Sequence, residues 1–479
     1  MATVDGTGAG ILASTPENYA ATGHGAPAVT SRDDATVGTE YEPGHLVLRD
    51  GRIAAVGPGS APVIDGARVV DGTGCLATPG LVATHQHLFQ RLTRGMAQQG
   101  TLLDWLTALY PVWSRLDGGL ERAAARAGLG ALALSGCSTA ADHHYLFPRR
   151  GSDDLLAAGV GAARDIGLRL HYCRGSLDLG ATDLGASGGG LPPDSVVGDR
   201  DEILAATEQA IDRFHDPAPD SMLRIAVAPS APLAVSRELM RESADLARRK
   251  GVRLHTHLAE AADEDRACQE RFGCSLTDYL DSAGWLGGDV WLAHCVHLDS
   301  TAVRRLGRTG TGVAHCPSSN ARLGAGIAPI PELIASGAPV GLGVDGAANE
   351  HGGLAAELRQ SVLAARARRG PAALSARQAL ALGTMGGARC LGRAAEIGSL
   401  EAGKQADVAL WRLDDLGHAD IADPVCALVF GPPARLELLT VAGAVVVAGG
   451  ELRTADADTL AAQACGAARE LRRRSGLAW

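Results

Sequence analysis

Two histidines separated by one residue close an apolar run early in this 479-residue chain, Leu81-Val-Ala-Thr-His85-Gln86-His87. In extended backbone alternate side chains share a face, so both imidazoles point the same way. At that spacing two neutral imidazoles can chelate one divalent ion. An H-x-H also arises from packing alone, so its weight depends on what accompanies it. His257-Leu-Ala-Glu260 ends a second apolar run with a third imidazole and, just beyond it, a carboxylate. His255 lies on the same face one layer deeper, where a hydrogen-bonded core role suits it better than ligation. Asp345 ends Val340-Gly-Leu-Gly-Val, a stretch with no use for a terminal carboxylate unless something positive lies beside it. Alone it would read as an N-cap; with three histidines it reads as a fourth ligand. The expected metal set is therefore His85, His87, His257 and Asp345.

These residues are far apart in sequence, so the elements between them must gather them. From Pro79 to Leu391 a short apolar strand alternates with a longer Ala/Leu/Arg-rich helical stretch. Eight strands are expected: Leu81–His85, Ser138–His143, Leu168–Cys173, Leu223–Pro229, Val252–His257, Val290–His294, Gly312–His315 and Val340–Asp345. Eight such units favour an α/β fold of the closed (β/α)₈ type, whose C-terminal strand ends meet at one mouth. Nearly every candidate strand ends in His, Asp or Arg, which fits that mouth.

The flanks differ in texture. Residues 44–78 and 392–479 contain short β-like runs and are expected to form one small β-sandwich from both termini, followed by a C-terminal helix, around a barrel of residues 79–391. Residues 1–43 are rich in Ala, Gly, Thr and Ser and receive no structural assignment. The chain is 46% apolar and 20% charged, with a formal charge of −10 and a pI near 5.8. No Lys/Arg-rich face offsets that acidity, which argues against nucleic acid, and no apolar stretch is long enough to span a bilayer. The arginines near residue 472 read as a solvated helix end. Ten cysteines without a C-x-x-C pair read as buried thiols of a reducing compartment, and the N-terminus lacks secretory features, so the cytoplasm is expected.

Together these motifs resemble the amidohydrolase superfamily, in the branch that deaminates heterocycles with a single zinc. Thr78-Pro-Gly-Leu-Val-Ala-Thr-His85-Gln-His87, His255-Thr-His257-Leu-Ala-Glu260, Ala293-His294, Ala314-His315-Cys-Pro-Ser-Ser-Asn320, Gly343-Val-Asp345-Gly346 and Ile397-Gly-Ser-Leu-Glu-Ala-Gly-Lys-Gln-Ala-Asp407 carry the resemblance, from about Gly44 to Leu452. Within the branch the chain is similar to the 8-oxoguanine deaminases, through Leu88-Phe-Gln90-Arg-Leu-Thr-Arg94, Asp142-His143, Arg174-Gly-Ser176 with the Gly-rich loop to Gly189-Gly190-Leu-Pro-Pro193, and Arg322-Leu323. Hydroxylated s-triazine aminohydrolases are similar over the same stretches. Gln86, Ser230 and Ser318 depart from the 8-oxoguanine deaminase pattern, which has a histidine and two cysteines there.

The resemblance implies one divalent metal per chain, zinc in the first place and iron as the alternative. Two-metal relatives use a carboxylated lysine on the fourth strand, and the chain's two lysines, Lys250 and Lys404, fall outside it. It further implies that the metal acidifies a water, that His294 orients the water, that Asp345 takes its proton and that Glu260 protonates a ring nitrogen. Gln90 is the first candidate for reading a lactam edge, with His143, Arg174 and Trp105 behind it. The expected partner is a small heterocycle, first 8-oxoguanine, alternatively guanine, isocytosine or a hydroxytriazine. A homo-oligomer is expected from the resemblance, and a non-catalytic assembly protein on the same scaffold is the distant alternative.

Overall fold

The computed structural model describes residues 10–13, 40, 42–149, 154–180, 183 and 192–476. Most of the unassigned segment before Gly44 and of the Gly-rich loop before Pro192 lies outside these residues. Eight parallel strands close a barrel: β1 (Leu81–Ala83), β2 (Cys137–His144), β3 (Arg169–Ser176), β4 (Leu223–Pro229), β5 (Arg253–Leu258), β6 (Val290–His294), β7 (Gly312–His315) and β8 (Val340–Leu342). Neighbours in sequence are neighbours in space, and β8 closes on β1 through Leu342 opposite Ala83.

Alternation along the strands separates two packed layers. Leu81, Leu170, Ile225, Leu254, Leu292, Val313 and Leu342 join the large core shared with the helices. Val82, Ala141, Cys173, Ala226, Ala228, Ala293 and Ala314 cluster around Trp291. These small residues leave room in the barrel for one indole and the imidazoles above it. The helices carry their own start and stop signals. In Arg237–Lys250, Ser236 caps the Leu239 N–H, Gly251 ends the helix at φ 67°, and Leu239, Met240, Ala244 and Ala247 face the barrel.

Strand ends differ from the sequence reading, with β3 running three residues past the expected Cys173 to Ser176. Regular pairing in β1 and β8 stops before His85 and Asp345, and a lone parallel bridge between Gln86 and Asp345 continues it. The segments that carry the ligand candidates thus leave the ladder and turn inward. Outside the barrel, a five-stranded sheet runs Glu451–Leu452, Ala444–Ala448, Arg435–Val441, Val408–Arg412, Cys75–Pro79, so both ends of the chain share it. A four-stranded sheet contains Gly44–Arg49, Arg52–Pro58 and Arg68–Asp71, together with Gly10–Ala13, a strand in the stretch that composition left unassigned. The C-terminal helix Ala457–Ser475 carries Arg472, Arg473 and Arg474 in its last turn, where Glu470 and Asp117 pair with the last two.

Candidate metal centre and active site

Three imidazoles meet at the barrel mouth with their tautomers set by their outer nitrogens. His87 Nδ1 donates to the His143 carbonyl (2.6 Å), and His257 Nδ1 donates to the Ser230 carbonyl (2.6 Å). Each therefore has only a lone pair on Nε2, yet these two Nε2 atoms lie 3.1 Å apart. Two acceptors at that distance repel unless a cation lies between them. His85 repeats the pattern through a relay. His255 Nδ1 donates to the Trp291 carbonyl (2.9 Å), so its Nε2 accepts from His85 Nδ1 (2.8 Å). This leaves His85 Nε2 buried, with no hydrogen-bond partner among the described residues. Asp345 Oδ1 stands 3.5 Å from that nitrogen and 3.3 Å from His87 Nε2, while Ser319 donates to Oδ2 at 2.5 Å. Burial keeps all three imidazoles neutral, with the pKa of His87 lowered to about 4. Three lone pairs and a carboxylate oxygen converging in a dry site fit a divalent cation.

His255 is thus the group that orients His85, consistent with the deeper core role expected for it. His143 sits closer to the ligands than its expected place against substrate would put it. Its Nε2 donates to the Ala228 carbonyl (2.8 Å), its ring stacks on His257 at 4.7 Å, and one of its nitrogens lies within 4.8 Å of those of His85, His87 and His257.

Beside this cluster lie Glu260 and His294, with Oε2 and Nε2 3.5 Å apart. His294 Nδ1 donates to Asn320 Oδ1 (2.9 Å), which aims the opposite nitrogen inward. Burial, against the pull of His294, raises the Glu260 carboxyl to about 7. Burial opposes protonation of His294, but Glu260 and Asp345 outweigh it and raise its pKa. Ala259, His294 and Asp345 have φ of 51°, 70° and 59°. These are left-handed conformations at the ends of β5, β6 and β8 that cost about 1–3 kcal/mol each. The turns that bring Glu260, His294 and Asp345 within reach of one another are therefore strained ones.

Of the remaining candidates, Gln90 is wholly buried. Its Oε1 accepts from Ala347 N–H (3.1 Å) and its Nε2 donates to the Tyr145 hydroxyl (3.1 Å). One N–H and one lone pair of the amide are left for a ring edge. Arg174 packs over Phe147 at 4.4 Å. Trp105 packs against Trp113 at 5.2 Å in a separate apolar cluster, the packing role its residue type also allows. Lys250 pairs with Glu208 and Asp212 at a helix end, and Lys404 with the Ala394 carbonyl, so neither approaches the mouth.

Sequence reasoning gave no role to Tyr145, whose ring stands edge-on to His87 at 5.0 Å. Asp142, part of the Asp142-His143 motif, has a bracing role here. Asp142 Oδ1 accepts the Leu88 N–H (2.9 Å), and His143 N–H donates to the Gln86 carbonyl (2.7 Å). Together with the His87–His143 bond, the end of β2 holds the His-Gln-His segment at three points. The only signal for this in sequence is an acidic residue just before the histidines that end the strand.

A closed parallel barrel with convergent imidazoles and a carboxylate at its mouth defines a metal-dependent hydrolase. The Amidohydrolase family model matches residues 76–447. The chain belongs to that family. It is 45% identical over 424 residues to an 8-oxoguanine deaminase of Pseudomonas aeruginosa, covering 88% of this chain and 93% of that one. It is 37% identical over 448 residues to a hydroxydechloroatrazine ethylaminohydrolase of Pseudomonas sp. strain ADP, covering 89% and 91%. Among solved structures, an atrazine chlorohydrolase of Arthrobacter aurescens complexed with zinc superposes with a TM-score of 0.84 at 32% identity, covering 89% of this chain and 95% of that one.

Proposed function

We propose that the protein removes the exocyclic amino group of an oxo-purine by hydrolysis, with 8-oxoguanine, converted to urate and ammonia, as its first substrate. The observation that carries the chemistry is the pair of lone-pair nitrogens on His87 and His257 facing each other at 3.1 Å. The likeness to the Pseudomonas aeruginosa deaminase supports the substrate.

In this reading His85, His87, His257 and Asp345 hold one divalent metal per chain, zinc, which when bound supplies water acidity near neutral pH. Glu260, with a carboxyl that retains its proton up to about pH 7, protonates a ring nitrogen and makes the amino-bearing carbon electrophilic. His294, anchored by Asn320, orients the attacking water. Asp345 takes the water's proton and passes it to the departing amine, and the proton left on the attacking hydroxyl returns to Glu260 as the carbonyl forms and the C–N bond breaks. An amine leaves only once protonated, and that proton is already at hand on the attacking side. Gln90, braced by Ala347 and Tyr145, presents its remaining donor and acceptor to the lactam edge, and Arg174 is proposed as a further contact to the ring.

Guanine, isocytosine and hydroxytriazines form the second reading, favoured by the likeness to the hydroxydechloroatrazine enzyme. Ammonia release by zinc-loaded protein from 8-oxoguanine, guanine, isocytosine and a hydroxylated aminotriazine ranks them. Turnover highest on 8-oxoguanine supports the proposal, and turnover of none defeats it. No helix among the described residues is long and apolar enough to cross a membrane. All ten cysteines are free, which supports residence in the reducing cytoplasm. Assembly into a homo-oligomer rests on the resemblance alone, and light scattering tests it.

A further inference from the structure

The opposite end of the barrel gathers positive charge. Arg169, Arg224 and Arg253 stand at or near the starts of β3, β4 and β5, and Arg393 joins them from below. Arg224 and Arg393 share one carboxylate, Glu396, at 2.7 and 2.6 Å. Arg169 pairs with Asp407 and donates to Thr139 Oγ1 (3.1 Å). The four guanidinium groups thus have two carboxylates paired directly among them, while Asp289 near Arg253 is already paired with Arg248. Backbone carbonyls take some of the remaining donors: Ser221 from Arg393 (2.8 Å), and Gly288 and Cys390 from Arg253 (2.8 Å each).

The donor supply still exceeds the acceptors. Arg169 Nε, Arg224 Nε, Arg253 Nε and Arg393 Nη1 are buried without a hydrogen-bond partner among the described residues, and so are both ring nitrogens of His171. His171 is 2% exposed and Arg393 1%. His171 lies directly opposite Arg224 in the β3–β4 register. Its ring packs on Trp291 at 5.3 Å, the same indole that the Arg253 guanidinium approaches at 5.9 Å. Trp291 therefore forms the ceiling of this cluster and separates it from the histidines at the mouth. Buried N–H groups without acceptors are costly, and an excess of guanidinium charge compounds that cost.

We propose that the floor of the barrel binds a small inorganic anion of the halide type, held between His171 and the guanidinium groups of Arg224, Arg253 and Arg393. A halide accepts several N–H donors from different directions, which suits groups arriving from three strands and the segment below them. It also brings the local charge closer to balance. Burial and the three guanidinium groups hold the His171 pKa well below its usual range, so the ring offers one N–H to the anion and one lone pair to a neighbouring arginine. Arg224 keeps 13% of its side chain exposed, which leaves a route for exchange.

Zinc-loaded full-length protein purified and crystallised in sodium bromide, with diffraction data collected at the bromine edge, tests the site. The expected result is an anomalous peak in contact with His171 and the three arginines; water alone at that position overturns the proposal. In solution, Tm should rise with the logarithm of bromide concentration when gluconate keeps the ionic strength constant. Arg393→Met should abolish that slope, and a slope unchanged in the variant also overturns the site. If Arg393→Met does not fold, His171→Phe, which keeps the stack on Trp291, takes its place with the same two outcomes.

Discussion

At the mouth of the barrel the buried side chains present lone pairs, and at its floor they present N–H groups. His85, His87 and His257 each give up a proton-bearing nitrogen to a carbonyl or to His255, so that what remains can only accept. Arg169, Arg224, Arg253 and Arg393 can only donate, and Glu396 and Asp407 do not use up their donors. Both ends are largely buried, and in the proposed reading they take ions of opposite sign, with Trp291 between them. Burial alone therefore does not decide what a site binds; the direction in which its hydrogen bonds are satisfied does.

If the mouth works by converging lone pairs, removing one should cost most. His257→Ala should lose the bound zinc and lower turnover by about three orders of magnitude or more, the scale of the several kcal/mol that a metal supplies; metal analysis beside ammonia release measures both. Glu260→Gln separates holding the ion from using it. Turnover should drop by about 10²–10⁴-fold while zinc stays at the wild-type ratio, and near-normal turnover would remove Glu260 from the chemistry.

Gly343→Ala probes the backing of the mouth without replacing any residue of the proposed ligand set. A Cβ there would lie 2.8 Å from both Cys316 Sγ and the His85 carbonyl oxygen, and 2.9 Å from His85 Cβ. Overpacking of about 1–3 kcal/mol should push His85 aside and weaken zinc affinity by about 10–100-fold, read by competition with a chelator; unchanged affinity would mean that His85 is not held by this contact.

The smallest effect belongs to the floor. The pKa of His171 in the folded chain lies well below 6.5, so under acid conditions the unfolded chain binds a proton that the folded one refuses. Its share of stability is present above pH 6.5 and is lost as pH falls below it. His171→Phe should therefore flatten the fall in stability on the acid side, measured by urea unfolding at several pH values, and an identical slope would show that His171 contributes nothing to it.

The mouth was more legible in sequence than the floor for a physical reason. His85, His87, His257 and Asp345 each end an apolar run, and a polar group in that place has no bland explanation once several occur together. Arg169, Arg224 and Arg253 stand singly at strand starts after polar turns, where a solvated charge is the ordinary expectation, and only closure of the barrel turns them inward. The eight strands could be read because an apolar body and a helical stretch alternate regularly. The exact ends of β1 and β8 could not, because the backbone leaves the ladder there to aim His85 and Asp345. Gln90 showed the chemistry of an amide but not that Ala347 and Tyr145 already claim half of it. The bracing by Asp142, from the neighbouring strand, and by His255, from across the barrel, depends on residues distant in sequence, which no local pattern records.

Diffraction at the zinc edge from protein crystallised with zinc tests the central claim most directly. One anomalous peak per chain is expected, about 2.0–2.2 Å from Nε2 of His85, His87 and His257 and from Oδ1 of Asp345. A peak elsewhere, or one that His87 and His257 do not both contact, would contradict the account.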